Sequence, residues 1–185
     1  MLKNTNYKLA LGVLVTILIL APWSLDLGFI PLTLQTLIIF IGASLLPWRT
    51  AIIVVGAYLA LGALGLPVFG HHTSGFAKLY GATAGFLWGF VACAGYVAYA
   101  SGRQEFHFFR AILIFLRAHL LLLIPGFAVL YYYMPGADLW NTLIHLIPGL
   151  IIKSLVGGVI AAQLRAKLVP VSDQIASLEE PNESD

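Results

Sequence analysis

The sequence predicts an all-α, polytopic membrane protein with six transmembrane helices, on three observations. Hydrophobic residues make up 60% of the 185-residue chain and charged residues only 10%, whereas soluble domains carry about 25% charge. Six apolar stretches reach or approach the roughly 20 residues needed to cross a hydrocarbon core. Clusters of Gly, Pro and polar residues separate them, at Gly28 to Pro31, Pro47 to Arg49, Pro67 to Gly75, Ser101 to His107 and Met134 to Gly136. Little chain is left over for a soluble catalytic domain.

The first span, Leu9 to Trp23, follows Lys3 and Lys8, as the apolar core of a signal peptide would. No small-x-small cleavage site follows Leu20 and five more spans come after it, which favours a retained helix. The others read Thr33 to Leu46, Thr50 to Leu66, Ala82 to Ser101, Phe109 to Met134 and Pro148 to Ala166. Residues 1–168 therefore form one six-helix domain. Residues 169–185 hold Asp173, Glu179, Glu180, Glu183 and Asp185 and read as an acidic, disordered cytoplasmic tail.

Cation placement orients the bundle, because short cytoplasmic loops carry an excess of Lys and Arg. With both termini cytoplasmic, the inner side receives Lys3, Lys8, Arg49, Arg103, Arg110, Arg165 and Lys167, and the outer loops only Lys78. Arg117 and Lys153 fall inside predicted spans. Cations scattered singly at segment ends are no nucleic-acid footprint. The lone Cys93 excludes an internal disulfide and any multi-cysteine metal site.

That orientation gathers the polar and helix-start features at the outer face. Ile30 to Thr36 opens the second span, with Pro31 suited to a first helical turn where its missing N–H has no partner to lose. Gly65 to Phe69 closes the third span, Gly81 to Phe86 opens the fourth, and Pro148-Gly149 opens the sixth. The long, polar connection from Pro67 to Tyr80 is placed to fold over a site as a lid. Five residues past Pro148, Lys153 is expected about 7 to 8 Å down its helix, where a charge is expensive unless it meets a cavity or partner. An ammonium there suggests an anionic or strongly polar ligand, against the alternative that it snorkels to the interface. Gln35 and Thr33 carry the same ambiguity between ligand contact and helix bridging.

In order and spacing, the runs Pro31-Leu32-Thr33-Leu34-Gln35-Thr36, Gly65-Leu66-Pro67-Val68-Phe69, Gly81-x-Thr83-x-Gly85-Phe86-Leu87-x-Gly89-Phe90 and Pro148-Gly149-x-x-x-Lys153 resemble those of the BioY family. These are biotin-specific substrate-binding (S) components of energy-coupling-factor transporters. The resemblance implies biotin uptake across the cytoplasmic membrane of a prokaryote. Capture would be from the outer face, either with a transmembrane coupling protein and an ATPase pair or as a solitary transporter.

Lys153, Gln35, Thr33 and Thr83 would supply polar groups, Tyr58, Phe69 and Phe86 apolar wall, Gly149 the turn before the lysine, and His72 a contact from the lid. Three features depart from the family pattern, one being the fourth-span run, which reads Gly81-Ala82-Thr83-Ala84-Gly85-Phe86 where the family has Gly-Pro-Thr-Gly-Gly-Tyr. Leu150 stands where the family commonly has an aspartate, which leaves open another vitamin or small anionic metabolite. The first span also lacks a clear Ala-x-x-x-Ala face for a coupling partner.

No cofactor is expected. The sequence has no Gly-x-x-x-x-Gly-Lys-Ser/Thr loop, so it has no ATPase of its own. The rival class is an intramembrane enzyme using His119, His145 or the pair His71 and His72. It finds no His-Glu-x-x-His helix, no paired intramembrane carboxylates and no nucleophile beside a base.

Overall fold

The computed structural model describes residues 7–26, 31–103, 106–136 and 138–169. The acidic tail expected beyond residue 169 lies outside the described residues. Six helices follow in order: α1 (Tyr7–Leu20), α2 (Leu34–Ser44), α3 (Trp48–Ala63), α4 (Ala84–Gly102), α5 (Phe108–Tyr133) and α6 (Leu139–Leu168). Of these, α4, α5 and α6 are long and apolar enough to cross a membrane, while α1, α2 and α3 are shorter apolar helices of 14, 11 and 16 residues. Around the bundle the neighbours run α1, α3, α4, α5, α6, α2 and back to α1, and α2 also reaches α4 through the middle.

The fold is helical as expected, but two helix starts are corrected: Pro31, expected in the first turn of the second helix, precedes it in a short ribbon, and the sixth helix starts earlier than Pro148. A short antiparallel ribbon of β1 (Ser24–Asp26) and β2 (Pro31–Thr33) joins α1 to α2, with Ser24 opposite Thr33. Three residues per strand are too few for an alternating pattern to show in sequence.

The sixth helix begins at Leu139 and not at Pro148, which lies inside it. Its start is set by Asp138, whose side chain accepts a hydrogen bond from the Asn141 N–H at 2.9 Å. An aspartate N-cap of this kind stabilises a helix by about 1 kcal/mol. Pro148 forfeits only the bond to the Ile144 carbonyl, a loss that helices in apolar surroundings tolerate.

Close backbone approach holds the long helices together. A methyl group at Gly85 of α4 would strike the Pro125 carbonyl of α5, and one at Gly158 of α6 would come within 2.6 Å of the Ile112 backbone nitrogen. Small residues at such crossings are how apolar helices pack where water gives no driving force. At the centre lie the fully buried Phe40, Tyr58 and Phe115, with the Phe40 ring edge-on to Phe115 at 5.9 Å and to His119 at 4.8 Å. On the outside of α6, Ile151, Ile152, Leu155, Val156, Val159 and Ile160 are exposed, as a lipid-facing surface requires.

Candidate functional site

Between α3 and α4 the chain forms a tightly bonded cap. Gly65 (φ 109°) ends α3 in a Schellman turn, with Leu66 N donating to Leu61 O at 3.1 Å and Gly65 N to Gly62 O at 3.2 Å. Phe69 then bridges back to Thr73 around Gly70–His72, and a further 3-10 turn spans Phe76–Leu79. The Gly75 N–H donates to Gly62 O at 2.8 Å, and the Trp88 indole N–H of α4 to Leu79 O at 3.1 Å.

His71 and His72 are not extended, as their adjacency in a loop suggests. Both sit in the left-handed region, at φ 58° and 56°, which costs side-chain-bearing residues of order 1–3 kcal/mol each. Contacts with the segment after α1 hold them there. The His71 N–H donates to Pro22 O at 3.0 Å, its Nδ1 lies 3.1 Å from Ser24 Oγ, and the His72 ring meets Trp23 edge-on at 5.4 Å. The cap is thereby fastened to β1, and through the Ser24–Thr33 pairing to the start of α2.

Beneath this cap the start of α2 meets the middle of α6. With α6 running from Leu139 to Leu168, Lys153 stands at its midpoint, about 21 Å from its first residue and deeper than a helix opening at Pro148 would place it. Its ammonium donates to Thr33 Oγ1 and Thr36 Oγ1, each at 3.3 Å. Thr33 is the N-cap of α2, yet its side chain makes no capping bond to that helix. An ammonium has three N–H donors, only two are used, and among the described residues no carboxylate pairs with Lys153. The site therefore combines a cation that no described carboxylate compensates with the positive end of a helix.

The other face of the same turn carries a second polar chain. Gln35 Nε2 donates to the Tyr58 hydroxyl at 2.7 Å, and that hydroxyl donates to Val68 O at 3.1 Å. Tyr58 is fully buried and lies edge-on to Phe69 at 5.6 Å. A third group sits beside Lys153 on α6. The Ser154 hydroxyl donates to Leu150 O at 2.8 Å and lies 3.0 Å from Nδ1 of His119, which also lies 2.9 Å from Phe115 O.

Of the residues expected at a ligand site, Lys153 and Thr33 touch directly, and Gln35, Tyr58 and Phe69 form one cluster beside them. Gly149 is buried in α6 next to the internal Pro148. The remaining three have other described neighbours. Thr83 is the exposed N-cap of α4, Phe86 packs on Gly126 and Phe127 of α5, and His72 meets Trp23 on the cap. Thr36, the second hydroxyl on Lys153, is an addition. Its position three residues after Thr33 puts it on the same helix face, a signal readable in sequence.

Six apolar helices, three of them long enough to cross a membrane, packed around a cation, hydroxyls and an amide under a bonded cap, define an integral membrane protein. The chain belongs to the BioY family, whose model matches residues 2–169. It is 36% identical over 129 residues to "Biotin transporter BioY2" of Lactococcus lactis subsp. cremoris, covering 68% of this chain and 70% of that one. It is 34% identical over 95 residues to "Biotin transporter BioY" of Thermotoga maritima, covering 51% and 56%. Among solved structures it is similar to the S-component for biotin from an ECF-type ABC transporter, with a TM-score of 0.74, 26% identity and coverage of 90% and 95%.

Proposed function

We propose that this protein takes up biotin, binding it under the α3–α4 cap with its carboxylate on Lys153. The observation that carries this reading is the Lys153 ammonium, half-buried at the positive end of α2 with two neutral hydroxyls and no described carboxylate. Burial and the helix start disfavour a cation, and two neutral hydroxyl acceptors offset that only in part. A carboxylate arriving there gains a charge-assisted bond to the ammonium and lies at the positive end of a helix, which suits anions. The relatives named for biotin transport supply the rest of the ligand.

In this reading six spans place both termini in the cytoplasm, which the seven cations assigned to the inner side support. The short helices α1, α2 and α3 complete their crossings with the segments that extend them. Residues 1–168 act as one substrate-binding domain, the acidic tail stays inside, and the protein sits in the cytoplasmic membrane of a prokaryote. Energy comes from a coupling membrane protein and an ATPase pair, or the protein works alone.

Equilibrium binding of labelled biotin to the purified protein tests the reading. Saturable binding that Lys153→Ala weakens at least about tenfold is expected, equivalent to about 1.4 kcal/mol. Absence of saturable biotin binding, with saturation by another vitamin or anionic metabolite, would overturn biotin as the substrate. The buried Leu150, one turn ahead of Ser154, is the residue that makes this alternative specific.

A further inference from the structure

The Tyr58 hydroxyl has one hydrogen, and its two neighbours decide where that hydrogen goes. The Val68 carbonyl can only accept, so the phenolic hydrogen is spent on it at 3.1 Å. The 2.7 Å contact to Gln35 must then be donated by the glutamine Nε2. This fixes the amide, whose two ends are otherwise told apart only by their hydrogen bonds. Oε1 is turned away from Tyr58 toward Gly70 at the underside of the cap, where an added methyl on Gly70 would lie 3.4 Å from it. Among the described residues nothing donates to Oε1, although Gln35 is only 8% exposed.

We infer that Tyr58 is a positioning residue, holding Gln35 so that its carbonyl oxygen is offered to a ligand N–H beneath the cap. The inference rests on the biotin reading and adds a recognition group to it. Biotin carries a carboxylate at one end and a ureido ring with two N–H donors at the other. Lys153 suits the carboxylate but has no lone pair for an N–H. The Gln35 oxygen belongs to the same turn of α2 as Thr33 and Thr36 and is the complementary acceptor. With phenylalanine at position 58 the ring volume and the edge-on contact with Phe69 would survive, but the amide would be free to turn its NH2 toward the ligand. A donor would then face a donor, and a site built around a hydrogen bond discriminates strongly through it.

The test compares biotin with an isosteric analogue in which a cyclic carbonate replaces the ureido ring, keeping the carboxylate arm but lacking both N–H donors. Dissociation constants are measured by competition on the purified full chain. Wild-type protein is expected to prefer biotin. Tyr58→Phe should weaken biotin by about tenfold, or about 1.4 kcal/mol, and leave the carbonate nearly unchanged, so that the preference shrinks by the same factor. Gln35→Met, which removes the acceptor itself, should shrink it at least as far.

Equal losses for both ligands in Tyr58→Phe would mark a packing role and overturn the inference while sparing the function. So would a preference left intact by Gln35→Met. A wild-type chain that binds neither ligand would overturn the biotin reading and this inference with it.

Discussion

Two cations on α6, the half-buried Lys153 and the buried Arg165, meet opposite ends of α2. Their separation of 12 residues rises about 18 Å, close to the about 16 Å length of α2 at 11 residues. Arg165 reaches the C-terminal end, where its guanidinium donates to the Ser44 carbonyl and lies over the Phe106 ring at 5.5 Å. Cations belong at that end, because the last carbonyls of a helix are unsatisfied and partly negative.

Lys153 is at the N-terminal end, where the same dipole opposes it and, among the described residues, two hydroxyls receive its hydrogens. One cation completes the fold as it stands; the other, in the proposed reading, is completed by the ligand's carboxylate. The contrast is between a charge with a structural partner and one proposed to hold a ligand.

Opposite effects on binding and stability would sharpen that contrast. The largest is expected for Lys153→Met, which should reduce biotin binding at least about tenfold yet leave the ligand-free protein as stable or more so, because a charge at an unfavourable helix end disappears. A thermal melt in detergent with and without biotin reads both quantities. A lower melting temperature for the ligand-free variant would break the comparison, since it would make Lys153 a structural group.

Arg165→Ala should do the reverse. Leaving the Ser44 carbonyl without its donor costs about 1–3 kcal/mol, and the variant should melt lower while its folded fraction keeps near-normal affinity. A strong loss of affinity at unchanged stability would place Arg165 in the binding machinery. The smallest effect is expected for Thr36→Val, which removes one of two neutral partners of the ammonium. A neutral hydrogen bond is worth about 0.5–1.5 kcal/mol, so affinity should shift only a few-fold. A loss as large as that of Lys153→Met would mean that Thr36 itself holds the ligand.

The sequence made the helices and much of the site legible for different reasons. Long apolar runs between breaker clusters locate all six helices, since burial in lipid demands nearly unbroken hydrophobicity. Lys153, Thr33 and Gln35 stood out because polar groups in such runs are costly, whereas Tyr58 was expected only as apolar wall; the structure brings all four to one end of α2. The start of α6 was misplaced because Pro148 reads as a boundary, whereas the Asp138 cap and the tertiary environment carry the helix through it. The ribbon and the left-handed turn at His71 and His72 left little trace, because the contacts that stabilise them come from residues about 50 positions away, at Pro22, Trp23 and Ser24.

Sequence by itself determined that this chain prefers lipid, how many helices it makes, and that a cation must be sheltered among them. Hydrophobicity and charge are properties of residues, so they need no fold to be read. Only the tertiary structure decided which end of α2 each cation meets and which way the Gln35 amide faces. Both depend on the relative placement of α2, α3 and α6, which is fixed by packing between segments distant in the chain.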